Sequence, residues 1–235
     1  KRLSELAVYE DDYAYFTSLR GIAGEITFTA SHTAEMLKDP TGGRGRFEDP
    51  QSAHEVNFML TRSLCVYYGL TGYEPALELA GRIVKGVLEV ARGFEEDGRW
   101  LLSHFHTAAA SLLSILEYAI VARDVQALDL VKRCFEYGKA ISDPLVGYFA
   151  ESVRGSERYK AEWSGNPPGH VRSVDRRDNT CETCEVADMI GLALKLTQAG
   201  VGDYWDDVDR WVRNQLAESQ MTHDKLRRLL DNVYG

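Results

Sequence analysis

The sequence predicts an all-α fold assembled from helical hairpins, and three observations predict it. Apolar residues recur at helical spacing from Gln51 onward. One short pattern returns three times. No comparable stretch alternates with period two, as a half-buried strand would.

Taken in chain order, residues 13–37 read as a helix or helix pair, although Gly21, Gly24 and the run Ile26-Thr27-Phe28-Thr29 weigh against it. Residues 38–50, with three glycines and two prolines, read as a loop. Leu77, Ala80, Val84, Val87, Ala91 and Phe94 then make one helical stripe, and Phe105, Ala109, Leu112, Leu116 and Ala119 make another. Further stripes follow at Leu128, Val131 and Phe135, at Val186, Ile190 and Ala193, and at Trp205, Val208, Val212 and Leu216. Cys65 and Cys134 fall within helical stretches and are expected to be buried as small apolar residues.

The recurring pattern occupies residues 76–82, 127–133 and 204–210. Each copy follows a turn-like break, at residues 69–72, at Arg123-Asp124 and at residues 200–203, and each is preceded by another helix. A single hairpin cannot bury its own apolar face, so three copies imply a solenoid or a closed ring. The uneven spacing and the long interruption over residues 141–180 favour an (α/α) toroid, incomplete with three or four hairpins. An open ring exposes apolar flanks, which a second copy or the remainder of a longer chain would cover.

Length and a 44% hydrophobic content fit one large domain spanning residues 1–235. A net charge of -9 and a pI near 5.2 argue against a nucleic-acid partner, and the arginine-rich residues 172–177 are interrupted by Asp175. No run approaches the roughly 18 uninterrupted apolar residues of a membrane span, and residues 1–5 lack the apolar stretch of a signal peptide, so no membrane is expected. The first residue is not methionine, from which an omitted or processed N-terminal portion is expected. Four cysteines make no disulfide framework and lean toward a reducing, cytoplasmic setting.

The residues that carry chemistry fall in three places. Cys181-Glu182-Thr183-Cys184 opens a helix expected over residues 185–198. Two thiols so spaced can bite one metal ion, and helix N-terminal amides favour the thiolate. Zinc on Cys181, Glu182 and Cys184 would leave one position for substrate or another ligand. Otherwise Cys184 and Glu185 merely begin a helix capped by Asn179 or Thr180. A redox pair, predicting a reversible disulfide, is a further reading.

His104 and His106 flank Phe105 at a helix start, and they reach one site only if the backbone is still extended there. The alternative is a capping or solvent-facing pair. The small run Ala108-Ala109-Ala110 lets a helix or ligand approach closely. The loop residues Asp143, Tyr148, Phe149, Glu151, Tyr159, Glu162, Trp163 and His170 combine carboxylates with rings, which is the inventory of a carbohydrate cleft. His104, His106, Tyr148, Trp163 and His170 are the candidate sugar-binding residues. The acidic residues 203–209 read as an exposed face and a helix start.

The segment Glu182-Thr183-Cys184, its apolar helix through Ile190-Gly191-Leu192-Ala193-Leu194, and residues 204–210 with Asn214 resemble the β-L-arabinofuranosidase-type glycoside hydrolases. The start His104-Phe105-His106-Thr107 is similar to a histidine-bearing inner helix of related sequences. The resemblance implies a six-hairpin (α/α) toroid that removes L-arabinofuranose with retention. It implies that Glu182 and Cys184 are zinc ligands and that the general acid is a glutamate upstream of them, for which Glu162 and Glu151 are candidates by position. Its nucleophile is a zinc-bound cysteine of a downstream Cys-Cys pair, and this sequence has no adjacent cysteines. The sequence thus predicts a glycoside hydrolase-like protein with carbohydrate as partner. The rival is a non-catalytic helical-repeat protein that binds a sugar or protein through its concave face.

Overall fold

A computed structural model describes residues 2–16, 50–102, 104–151, 153 and 181–234. The protein is mostly helical, in keeping with the all-α class. In order come α1 (Arg2–Leu6), β1 (Val8–Glu10), β2 (Tyr13–Tyr15), α2 (Pro50–Thr71), α3 (Glu74–Lys85), α4 (Phe105–Ala122), α5 (Val125–Ala140), α6 (Thr183–Gln198), α7 (Trp205–Trp211) and α8 (His223–Tyr234). Single π-helical turns, Gly86–Val90 and Val212–Leu216, extend α3 and α7.

The start of the chain departs from the helix expected over residues 13–37. Residues 13–15 form β2, paired antiparallel to β1 with Val8 opposite Tyr15 and Glu10 opposite Tyr13. Ala14 and Phe16 are buried in a small core with Leu64, Cys65, Leu79 and Ile83 of α2 and α3. Asn57 anchors the strand end, accepting from Phe16 N–H at 3.0 Å. Residues 17–37 and the loop expected over 38–49 lie outside the described residues. Pro50 is the first residue of α2 and no part of a loop. A proline fits there because the first helical N–H has no intrahelical partner.

Consecutive helices pack in pairs, α2 with α3, α4 with α5 and α6 with α7, and the first members also pack in series, α2 on α4 and α4 on α6. Sharp breaks make the pairs. Gly72 turns with φ +67° after α2, and Arg123 takes the left-handed conformation with φ 57° at the end of α4. Asp124 then caps α5, accepting from the N–H groups of Gln126 and Ala127 at 3.1 and 3.0 Å. Gly81 lets α3 approach α4, since a Cβ there would sit 2.9 Å from the Tyr118 hydroxyl.

Helix α4 lies at the centre, buried on nearly every side from Thr107 to Glu117. It is long and apolar enough to cross a bilayer, and its burial between α2, α5 and α6 accounts for that hydropathy. Each large apolar side chain buried here contributes about 1.5–3 kcal/mol. Beside it, Trp100, Phe105, Phe135, Phe149 and Trp211 form an aromatic core. Both indoles keep a partner: Trp100 Nε1 donates to Cys134 O at 3.0 Å and Trp211 Nε1 to Pro144 O at 2.8 Å.

The stripe from Leu77 to Phe94 is not one helix. Ala91 and Phe94 are buried, but Phe94 pairs with Trp100 in an isolated bridge closed around Gly98, at φ +93°. Cys65 and Cys134 are fully buried as expected, and burial pushes both thiols up to about 12. At the start of α7, Asp207 binds Lys139 at 2.7 Å and Arg210 at 3.1 Å, so part of that acidic run is paired and not merely exposed.

Candidate site at the helix N-termini

His104 is extended, with φ -100° and ψ 119°, and α4 begins at the next residue. That is the backbone state in which His104 and His106 can look the same way, and their rings stand 5.9 Å apart, edge to face. The loop before α6 holds this start in place. Phe105 N–H donates to Glu151 O at 2.8 Å, and the Phe149 ring packs on Phe105 and Trp211 at 5.5 and 5.1 Å. His104 Nδ1 pairs with Thr107 Oγ1 at 2.8 Å. His106 Nδ1 meets Asp188 Oδ2 of α6 at 2.7 Å, and this hydrogen bond raises the imidazole above its ordinary value although burial works the other way.

At the second start, α6 begins at Thr183, two residues before the expected 185. The cap is Glu182, extended at φ -85° and ψ 153°, whereas Asn179 and Thr180, the expected caps, lie outside the described residues. Glu182 and Glu185 close a capping box, in which Glu182 N–H donates to Glu185 Oε2 at 2.6 Å. Glu185 is fully buried, and its Oε1 has no partner among the described residues. Burial pushes this carboxyl up to about 8; the charges of Glu182 and Glu151 add to the rise, and the Glu182 N–H opposes it. At neutral pH Glu185 therefore mostly keeps its proton.

The two starts meet. One ligand atom each from His104, Glu182 and Glu185 lies within 4.8 Å of the others, and this group can hold a metal ion. Glu182 was expected in a metal site; His104 was expected to bind substrate. Cys181 and Cys184 stand beside the group and do not belong to it.

The thiols also differ from the expected thiolates. Cys184 Sγ donates to Glu182 Oε2 at 3.3 Å, and burial together with that bond pushes the thiol up to about 12. Burial also raises Cys181, whose Sγ donates to Glu182 O at 3.7 Å and accepts from Gln215 Nε2 at 3.6 Å. Desolvation and neighbouring carboxylates outweigh the helix N-terminal amides here. Both cysteines are free, with no disulfide between them.

Among the loop residues, Tyr148 faces this region: burial raises its hydroxyl, and charge on Cys181 or Glu185 raises it further. A turn from Asp143 to Tyr148 carries it, with Gly147 at φ +78° pressed against the Trp211 indole. Glu151 is half-buried near Glu185, while Phe149 is core and no part of a cleft wall. Tyr159, Glu162, Trp163 and His170 lie outside the described residues. Of the residues of the site, Glu185 enters the sequence reading only as a helix start, and Asp188 does not enter it. A glutamate three residues after the cap is half of a capping-box signal, but Glu182 is not the Ser, Thr, Asp or Asn that completes it; nothing local marks Asp188.

No family model matches the sequence, and neither a curated protein nor a solved structure matches it.

Proposed function

We propose that the protein is a carbohydrate-active protein of the (α/α)-toroid type, which binds a sugar and cleaves a glycosidic bond where the starts of α4 and α6 meet the loop before α6. The observation that carries this reading is the grouping of His104, Glu182 and Glu185 within 4.8 Å, from two helix N-termini distant in sequence. The serial packing of α2, α4 and α6, each backed by the next helix, is what stacked helical hairpins require, and a toroid is the closed form of such a stack.

Within this reading Glu151 is the proton donor to the leaving oxygen while water bonds to the anomeric carbon and gives up its proton, and Glu151 is held beside the site by its own carbonyl on Phe105 N–H. His106, oriented by Asp188, hydrogen-bonds a sugar hydroxyl, and the Tyr148 ring offers a face to the sugar. A metal ion such as zinc, when bound, supplies fixed positive charge beside the reacting centre.

The test is hydrolysis of a panel of nitrophenyl furanosides and pyranosides that includes an L-arabinofuranoside, with sugar binding followed by calorimetry. The reading expects nitrophenol release that falls about a hundredfold or more in Glu151→Gln. Sugar binding without release supports the non-catalytic rival, and neither binding nor release on any sugar rejects the cleft.

A further inference from the structure

We propose that the starts of α4 and α6 form a mononuclear divalent-cation site made by an imidazole nitrogen of His104 and carboxylate oxygens of Glu182 and Glu185, with both thiols outside the coordination sphere. This deepens the reading above and rests on the same meeting of helix starts, but it departs from the thiolate zinc site that the Glu-Thr-Cys resemblance implies.

Two observations converge on it. The first is reach: three ligand atoms that bind one first-row ion at about 2.0–2.2 Å stand about 3.3–3.6 Å from one another. The three groups are within 4.8 Å, so side-chain rotations of about an ångström bring them onto one ion. The second is independent of the clustering. Glu185 is fully buried, one of its oxygens is held by Glu182 N–H, and the other has no partner among the described residues. Buried polar atoms without partners are rare and costly, and a cation bound through this oxygen would supply one.

The remaining contacts arrange the ligands. Thr107 holds His104 Nδ1 at 2.8 Å, the outer-partner arrangement that fixes an imidazole for ligation through its other nitrogen. The Glu182 backbone N–H does the same for the Glu185 carboxyl. The thiols point to no such role. Cys184 Sγ uses its proton on Glu182 Oε2, and Cys181 Sγ lies between Glu182 O and Gln215 Nε2. A site on Cys181, Glu182 and Cys184 would break these bonds, whereas the nitrogen-and-oxygen set leaves Cys181 where it is. One imidazole with two carboxylates suits borderline ions such as zinc, cobalt or ferrous iron and the harder manganese ion, and not soft cuprous ion.

The experiment uses the full chain, stripped with chelator, and cobalt(II) alone as the probe, followed by calorimetry and by absorption. The expected result is one cobalt per chain, with ligand-field bands in the visible and no thiolate-to-cobalt charge-transfer band in the near ultraviolet. The double variant Cys181→Ala/Cys184→Ala binds within about threefold of the parent, and Glu185→Gln and His104→Ala each bind at least about tenfold more weakly. Glu185→Gln keeps an acceptor for Glu182 N–H, and circular dichroism checks its fold; His104→Ala is the independent second variant. A charge-transfer band, loss of binding in the double cysteine variant, or no cobalt bound by the parent overturns the proposal. Because no turnover is measured, failure here leaves the sugar assay standing, and an inactive protein leaves the cobalt result standing.

Discussion

Glu182 donates its backbone N–H to Glu185 Oε2 at 2.6 Å, while Oε1 of the same buried carboxyl has no partner among the described residues. One helix cap thus serves two ends, closing the start of α6 and placing a carboxyl beside His104.

The first consequence is a pH dependence of stability in the metal-free protein. Glu185 sits at about 8 in the folded chain, against about 4.3 for an unfolded glutamate, so the folded state holds the proton more tightly. The stabilisation is complete below the unfolded value, falls as pH rises from about 4.5 to 8, and levels off above. Its slope is at most about 1.4 kcal/mol per pH unit. Glu185→Gln should flatten this slope and raise the melting temperature at pH 8 in chelator. An unchanged slope would show that Glu185 is ionised when folded.

The second concerns His106, which Asp188 holds protonated to higher pH. Asp188→Asn should move the midpoint of the imidazole proton resonances to lower pH in an NMR titration. An unmoved midpoint would mean that the 2.7 Å contact does not persist in solution.

Thiol reactivity gives the third. With its proton on Glu182 and its value near 12, Cys184 should react slowly with iodoacetamide at pH 8, and Glu182→Gln should speed it up. Mass-spectrometric labelling measures both rates. Fast labelling of Cys184 in the parent chain would restore the thiolate.

Packing gives the fourth. Gly147 has φ +78°, and a Cβ there would meet the Trp211 Cδ1 at 2.9 Å. Gly147→Ala should cost about 1–3 kcal/mol in chemical denaturation and loosen the turn that carries Tyr148. A cost of less than about 0.5 kcal/mol would mean that the turn is free to move.

What the sequence disclosed follows from which forces are local. Helices α3 to α7 were legible because a core-facing stripe at helical spacing is written into consecutive residues. The strands Val8–Glu10 and Tyr13–Tyr15 were not, since three residues are too few to display an alternation. The end of the first stripe misled because Ala91 and Phe94 keep helical spacing while packing from a turn. In the site, His104, His106 and Glu182 stood out by type and spacing. Asp188 did not, because its partner His106 is 82 residues away and the pairing exists only once α4 and α6 pack. The thiols were read as thiolates from the helix end alone, where burial and two nearby carboxylates decide the outcome.

The most direct measurement is anomalous diffraction at the cobalt edge from crystals of the full chain soaked in cobalt(II). The account predicts one strong peak within bonding distance of His104, Glu182 and Glu185, with both sulfurs farther away. A peak bonded to Cys181 or Cys184, or helix starts too far apart to share any ion, would contradict it.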